Sequence, residues 1–397
     1  MKTLVNIIDP EHPVAAYLFI QEMFEPGDRL LFIAANDDFE HITPLVGLLQ
    51  SFLPHHDGEK AFSANDVERI VLRRDADKYT YERICRTINS KLDPQTDYYV
   101  NLAGGSRYMA LSVQHVFSNY NSTFFYIQTH ENLIVKTIFD NSIYDNDDVI
   151  IPIRYKMSLA EYFEAYGLSN DLDQPKDLIS DEAKAKQMFD LFANHRLNNA
   201  DYKVLDILRE KYRGLNYINI FDVENNIDGR LTPIPNLSKF LNYIKFDPAE
   251  EGLLDREELD YLTGGWFEEY VYYLVKAVIQ PDDIAIGVHI DGCTEIKHNN
   301  ELDVVFIRNN QLFVIECKSG IKTDSMFNEI VYKVCALKEV LLGIDCHSYI
   351  FSLKKDPTGD LKKVAQYMNI NFLDYDCLTH PEKLKKEFGK MVKIARG

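Results

Sequence analysis

A chain of 397 residues carries 43 Lys and Arg against 62 Asp and Glu, a formal charge of −19. At roughly 100–200 residues per domain this length makes two or three folded units, and 46% hydrophobic with 26% charged residues excludes wholesale disorder. No apolar run approaches the ~18–20 residues of a membrane crossing, and six cysteines without a CxxC pair argue against a disulfide framework or a structural zinc site. A cytoplasmic protein is expected, with no membrane partner. Met1 to Pro10 reads as a first strand rather than a signal peptide. The acidic balance does not suggest a general polyanion binder, yet residues 351–397 hold ten Lys and Arg against six acids, a local net of +4.

Thr3–Ile8 is the first expected strand, and a helix begins near Pro13. Arg29–Ala35 is a nearly continuous apolar strand; Val67–Arg73 and Asp97–Leu102 are two more, the last feeding Gly104-Gly105 and a helix over Ser106–Ser118. Ser122–Gln128 and Leu133–Phe139 close the series as a hairpin through Thr129–Asn132. Strands apolar on both faces, alternating with helical segments, predict an open, largely parallel, Rossmann-like α/β sheet covered on both sides, over residues 1–145.

Asn141–Asp148 reads as an exit loop. Residues 146–262 are expected to be a mostly helical connector, with helices at Lys184–Leu191, Ala200–Glu210 and Leu237–Ile244 and a turn-rich stretch at Asn225–Pro235; a small winged-helix-like unit is conceivable there. From 263 to 397 a second α/β pattern follows. It comprises helix Trp266–Ile279, strand Ile284–Ile290, hairpin Glu301–Ile307 with Gln311–Cys317, helix Phe327–Leu342, short strands Ser348–Leu353 and Asn369–Leu373, and a basic terminal helix Glu382–Ala395.

The hairpin carries the chemistry. Asn tolerates positive φ, so Asn309-Asn310 suits a two-residue turn that pairs Arg308 with Gln311. That register sets Asp303 opposite Glu316 and Glu301 opposite Lys318, with all four side chains on one side of the sheet. Opposed carboxylates with Cβ atoms ~4.5–5.5 Å apart repel, and their neighbours are Leu, Val, Ile and Phe, among which charge is costly to bury. Mg²⁺ or Mn²⁺ relieves both costs, since these ions prefer oxygen ligands and retain water. Lys318 would orient or help deprotonate that water, or stabilise charge developing on a phosphate. The competing reading is a strand pair closed by ordinary salt bridges, Lys318 neutralising Glu316 or Glu301.

Upstream, Phe267, Val271, Leu274 and Val275 mark the buried stripe of a helix. Glu268, ~100° from Phe267 at 3.6 residues per turn, flanks the stripe and can reach the acidic sheet edge. Glu269 is expected to point further toward solvent. Both also suit a helix N-terminus as plain acids. Glu268, Asp303 and Glu316-Cys317-Lys318 together resemble the PD-(D/E)XK nuclease superfamily of restriction enzymes and Holliday-junction resolvases, over residues 263–355. The resemblance implies that Asp303, Glu316 and the Cys317 backbone carbonyl bind the metal, that Lys318 assists the water, and that Glu268 completes the site, with Glu301 a further candidate ligand. Leu302 stands where the motif name has Pro.

Asn101-Leu102-Ala103-Gly104-Gly105-Ser106-Arg107 leaves a strand and opens a helix. Adjacent glycines let backbone N–H groups converge on anionic oxygens; the spacing does not match GxGxxG, so a dinucleotide site is not expected, and taken alone the segment reads first as a plain tight turn. The Asp9-Pro10-Glu11-His12-Pro13 loop, Asn36 and this turn all follow strands at their carboxyl ends, where ligands bind in a doubly wound sheet. The first 145 residues resemble the CARF domains of CRISPR-associated proteins. Joined to a PD-(D/E)XK half, they resemble the single-CARF nucleases of type III CRISPR systems activated by cyclic tetra-adenylate. This implies a homodimer that binds cyclic oligoadenylate at Asp9, Pro10, Glu11, His12, Pro13, Asn36, Asn101, Ala103, Gly104, Gly105, Ser106 and Arg107, and cleaves single-stranded DNA or RNA or nicks a duplex. His12 is either a contact or a loop residue. Two alternatives remain: a ligand-controlled transcription regulator, or a ring nuclease that degrades its own cyclic ligand.

Overall fold

The computed structural model describes residues 1–9, 12–35, 42–53, 67–72, 80–137, 149–227, 229, 231–291, 301–320, 323–337 and 346–394. The expected exit loop Asn141–Asp148 lies outside these residues, as do the ends of several expected elements (Arg73, 138–139, 338–342, Ala395) and two positions of the turn-rich stretch, 228 and 230.

Seven strands make the first sheet: β1 Thr3–Ile7, β2 Arg29–Ala35, β3 Val67–Leu72, β4 Tyr98–Asn101, β5 Ser122–Gln128, β6 Leu133–Thr137 and β7 Val149–Pro152. Their order is β3-β2-β1-β4-β5-β6-β7. The first five are parallel, and β6 and β7 fold back antiparallel. β2 shows why its run is continuously apolar: Leu30, Phe32 and Ala34 enter one buried cluster while Leu31 and Ile33 enter another on the opposite face. The chain passes from β1 to β2 on one side and reaches β4 on the other, so the topological switch point lies between β1 and β4.

β8, Ser169–Asn170, leads into the middle of the chain, where helices Glu182–Ala193, Asn199–Ile207 and Leu237–Ile244 accompany a two-stranded antiparallel ribbon, β9 Tyr217–Asn219 with β10 Leu253–Asp255. The second sheet adds β11 Asp283–Asp291, β12 Glu301–Arg308, β13 Gln311–Lys318, β14 His347–Ser352 and β15 Asn371–Leu373, in the order β15-β14-β13-β12-β11-β8. Val304, Phe306, Phe313 and Ile315 pack with Trp266, Phe267, Val271 and Val275 of helix Trp266–Val278. Val305, Ile307, Leu312 and Val314 instead join the cluster containing Tyr17, Tyr162 and Phe163. Both faces of the β12–β13 hairpin are therefore covered, and its core is continuous with that of the first sheet.

The tip of the hairpin is tied to the first sheet. Asn309 and Asn310 adopt φ of +49° and +59°. Asn310, 3% exposed, accepts a hydrogen bond from Met157 N–H at 2.8 Å and donates to Asn132 Oδ1 at 2.8 Å and the Tyr155 carbonyl at 2.9 Å. Gln311 donates to the His130 carbonyl at 2.6 Å. His130 and Asn132 form the β5–β6 turn, at the carboxyl edge of the parallel strands. Among the described residues no helix is long and apolar enough to cross a membrane.

Candidate active site

Backbone pairing between β12 and β13 runs from Arg308–Gln311 to Val304–Ile315, in the register the Asn-Asn turn dictates. Beyond it the Cys317 N–H turns to Asp303, donating to Oδ2 at 2.7 Å. A buried N–H requires a partner, so this bond fixes the Asp303 carboxylate where the regular ladder ends. Glu316 and Lys318 stay in register with β14, opposite Ile350 and Ser352.

The Lys318 ammonium stands 3.1 Å from Asp303 Oδ2, 2.7 Å from Glu316 Oε1 and 3.1 Å from the Cys317 carbonyl oxygen. The two carboxylates thus face one point from the same side, as their register requires. Their side chains are only 8% and 3% exposed. Burial, with the Asp303 charge beside it, pushes the Glu316 carboxyl upward against Lys318 and Lys333. For Lys318, burial acts downward, but Asp303 and Glu316 outweigh it and hold the ammonium well above the ordinary lysine range. Cys317, 4% exposed, keeps its proton, since burial and the Asp303 charge raise its thiol; a protonated thiol is no nucleophile.

Glu268 lies on the first turn of helix Trp266–Val278, where burial first and then Asp303 lift it to about 7. Its Oε2 is 3.3 Å from Lys176 Nζ, and the same ammonium lies 3.9 Å from Glu301 Oε1. Glu301 thus engages Lys176 by direct ion pair, while Lys318 serves Asp303 and Glu316. Glu269 does not point toward solvent. It is 3% exposed and accepts from the Ile179 and Ser180 N–H groups at 2.8 Å each and from the Ser180 hydroxyl. The connector covers the face that a helical wheel leaves open, so Glu269 is an anchor for that segment.

Two lysines of this edge are not legible in the motif. Lys333, on helix Asp324–Leu337, stands 3.1 Å from Glu316 Oε1. Lys176 comes from the connector, and its stem crosses Gly287, where an added Cβ would lie 2.6 Å from Lys176 Cδ. A glycine in mid-strand marks such a close approach and was the available signal.

Among the described residues no three His, Cys, Asp or Glu side chains converge tightly enough to hold a metal ion by themselves. The third oxygen at the focus of Asp303 and Glu316 is the Cys317 carbonyl, and the Lys318 ammonium takes the place of a cation there. An all-oxygen set around one positive centre fits a hard dication.

In the first sheet, the described ones among the expected ligand residues lie around the switch point. The Gly105 N–H donates to Asp9 Oδ2 at 3.1 Å, joining the β1 loop to the glycine turn. Gly104 and Gly105 have φ of +124° and +61°, and a Cβ on either would stand 2.5 Å from the Ile7 carbonyl oxygen or 2.6 Å from Ile7 Cγ2. Asn101 is fully buried beneath the turn, donating to Asn6 Oδ1 at 3.0 Å and accepting from Ala103 N–H at 3.0 Å. Ser106 caps the helix Arg107–Phe117 through Met109 N–H, and Arg107 is exposed at its start. His12 N–H donates to the Asp9 carbonyl at 3.1 Å, and Pro13 opens the following helix. Pro10, Glu11 and Asn36 lie outside the described residues.

A largely parallel sheet with a glycine turn at its switch point is joined to a hairpin bearing Asp, Glu and Lys, the arrangement expected of a nuclease with an N-terminal ligand-binding domain. Two family models match the chain, the Card1 CARF domain over residues 3–162 and the Card1-like endonuclease domain over residues 255–387. The chain thus carries a CARF domain like that of Card1, followed by a Card1-like endonuclease domain. Two solved structures share its fold over nearly full length. Protein VC1899 from Vibrio cholerae is 17% identical with a TM-score of 0.72, covering 100% of this chain and 99% of that one. Can2 from Sulfobacillus thermosulfidooxidans, solved in complex with cyclic tetra-adenylate, is 19% identical with a TM-score of 0.68, covering 98% and 99%. No curated protein matches the chain.

Proposed function

We propose that cyclic tetra-adenylate binds the β1–β4 crevice of a homodimer and switches on cleavage of single-stranded DNA or RNA at the β12–β13 edge, as part of type III CRISPR defence. The carrying observation is the convergence of Asp303, Glu316 and the Cys317 carbonyl on one cationic nitrogen. The CARF match and the likeness to Can2 support the activator. A two-fold symmetric ring would sit naturally on a two-fold axis, each subunit offering the same turn.

In this reading the site is of the PD-(D/E)XK type, and Asp303, Glu316 and the Cys317 carbonyl hold Mg²⁺ or Mn²⁺, with Glu268 beside them. When bound, the ion supplies Lewis-acid polarisation of a phosphoryl oxygen and a more acidic water. Both carboxylates are buried, and Asp303 is fixed further by the Cys317 N–H, so little reorganisation of these two groups remains at the moment of reaction. Lys318, held charged by its neighbours, stabilises negative charge gathering on the phosphate. Glu268, whose carboxyl is raised in the metal-free chain by burial and then by the Asp303 charge, would regain its carboxylate form beside the ion and complete the anionic set.

The test is cleavage of labelled single-stranded RNA, single-stranded DNA and plasmid by the full chain with Mn²⁺, comparing cyclic tetra- with hexa-adenylate. Glu316→Ala and Asp303→Asn are expected to lower activated cleavage by roughly 10²–10³-fold or more, with activator binding unchanged. Retained cleavage in both variants overturns the site.

A further inference from the structure

Three lysines and four carboxylates alternate across the edge of the second sheet. Lys176 meets Glu268 and Glu301, Lys318 meets Asp303 and Glu316, and Lys333 meets Glu316 from the other side. By formal charge the set carries one negative charge in excess, and a dication bound among the carboxylates reverses that sign. It also competes for the oxygens that now hold the lysines.

The outer two lysines are built to respond differently from the central one. Their side chains are 40% and 41% exposed, against 29% for Lys318, while the Glu316 and Glu268 carboxylates they hold are 3% and 18% exposed. The anions are therefore anchored, and the ammonium groups reach them from the more exposed side, each on a flexible four-carbon stem. Lys176 has a dedicated passage, because Gly287 at φ +63° leaves the space its stem occupies. Beside it lies a cavity of about 310 Å³ lined by Lys176, Gln174, Tyr272 and Gly287 among others, which gives the stem room to turn. From β11, beneath Lys176, to β13 is two strand spacings, about 9–10 Å, and Lys333 extends the row beyond. Such a row spans more than one phosphate of an extended strand.

We propose that Lys176 and Lys333 are substrate-binding residues that hold the carboxylates in the free chain and turn to backbone phosphates of a polynucleotide strand, on either side of the scissile bond, once a dication occupies the carboxylates. The proposal rests on the nuclease reading above and assigns its strand contacts. No base is read by two ammonium groups, so the contact is sequence-independent.

Binding, not cleavage, tests it. Anisotropy of a labelled single-stranded oligonucleotide is followed across a salt series, with the full chain, cyclic tetra-adenylate and Ca²⁺ in place of Mg²⁺. Each phosphate contact to a single strand contributes a slope of about −0.7 in log K against log salt. Lys176→Ala and Lys333→Ala are each expected to flatten the slope by about 0.7 and the double variant by about 1.4, with Lys→Arg restoring it. Mn²⁺ affinity without nucleic acid is expected to hold or rise, because a competing cation has gone. Unchanged slopes in both single variants, in proteins that melt as the parent does, overturn the proposal alone. If the parent shows no salt-dependent binding at all, the nuclease reading falls with it.

Discussion

The two sites of this molecule are specified by different physics. The crevice between β1 and β4 is made largely of backbone, with Gly104 and Gly105 pressed on Ile7 and a neutral Asn6–Asn101 pair beneath. The edge of the second sheet is made of charge, Asp303 and Glu316 buried against Lys318 with Lys176 and Lys333 flanking them. A site limited by shape tolerates changes of charge better than added atoms. A site limited by charge tolerates small changes of shape better than neutralisation of one group.

The sharpest way to break that contrast is one methyl group. Gly104→Ala puts a Cβ 2.5 Å from the Ile7 carbonyl oxygen at a φ of +124°. The backbone cannot yield without displacing β1, so about 3 kcal/mol of stability is expected to be lost together with the response to cyclic tetra-adenylate. Mn²⁺ affinity at the second sheet should persist in the fraction that stays folded. Denaturant melts and activator titrations of the same preparation check this, and a variant activated like the parent removes the steric account of the crevice.

A smaller effect is expected where the two sheets meet. Asn310 makes three hydrogen bonds to the first sheet and its neighbourhood from the tip of the hairpin that bears Asp303 and Glu316 at its other end. Its contacts include the β5–β6 turn, on the edge that carries the glycine turn. Asn310→Ala strands buried partners at about 1–2 kcal/mol and places Ala at a φ of +59°. Activator affinity should stay within about twofold while activated cleavage falls several-fold, because coupling free energies are typically only ~1–3 kcal/mol. Equal loss of affinity and cleavage would mean the tip serves stability alone.

The same contrast explains what could be read from the sequence. The hairpin register was legible because a two-residue Asn-Asn turn admits one pairing, and a period of two then sorts every side chain to a face. β2 was legible to the residue because burial on both faces leaves an unbroken apolar run. Lys176 and Lys333 were not, since each reaches its carboxylate through tertiary packing, across sequence separations that no local period encodes. Glu269 was misread for the same reason, as its helical position is correct but the covering segment arrives 90 residues earlier in the chain. Helices Ile42–Phe52 and Tyr81–Asn89 and strand β7 went unread. The apolar spacing of the first is nearly all-round, and β7 has only four residues to carry an alternation.

The mildest test of the contrast is a pH dependence. Glu268 rises from an ordinary 4.5 to about 7 in the folded chain, chiefly through burial and then through Asp303. The folded state therefore holds a proton that the unfolded chain has already released between those two values. With more protons on the folded side, stability falls as pH rises through that window. The contribution is fully present below 4.5 and gone above about 7. Glu268→Gln cannot titrate, so in EDTA its stability relative to the parent should climb from pH 4.5 to about 7 and then level off. Urea unfolding across that range measures the difference directly. Added Mn²⁺ should narrow it in the parent by supplying the positive charge the cluster lacks, whereas parallel curves with and without the ion would place Glu268 outside the electrostatic set that defines this edge.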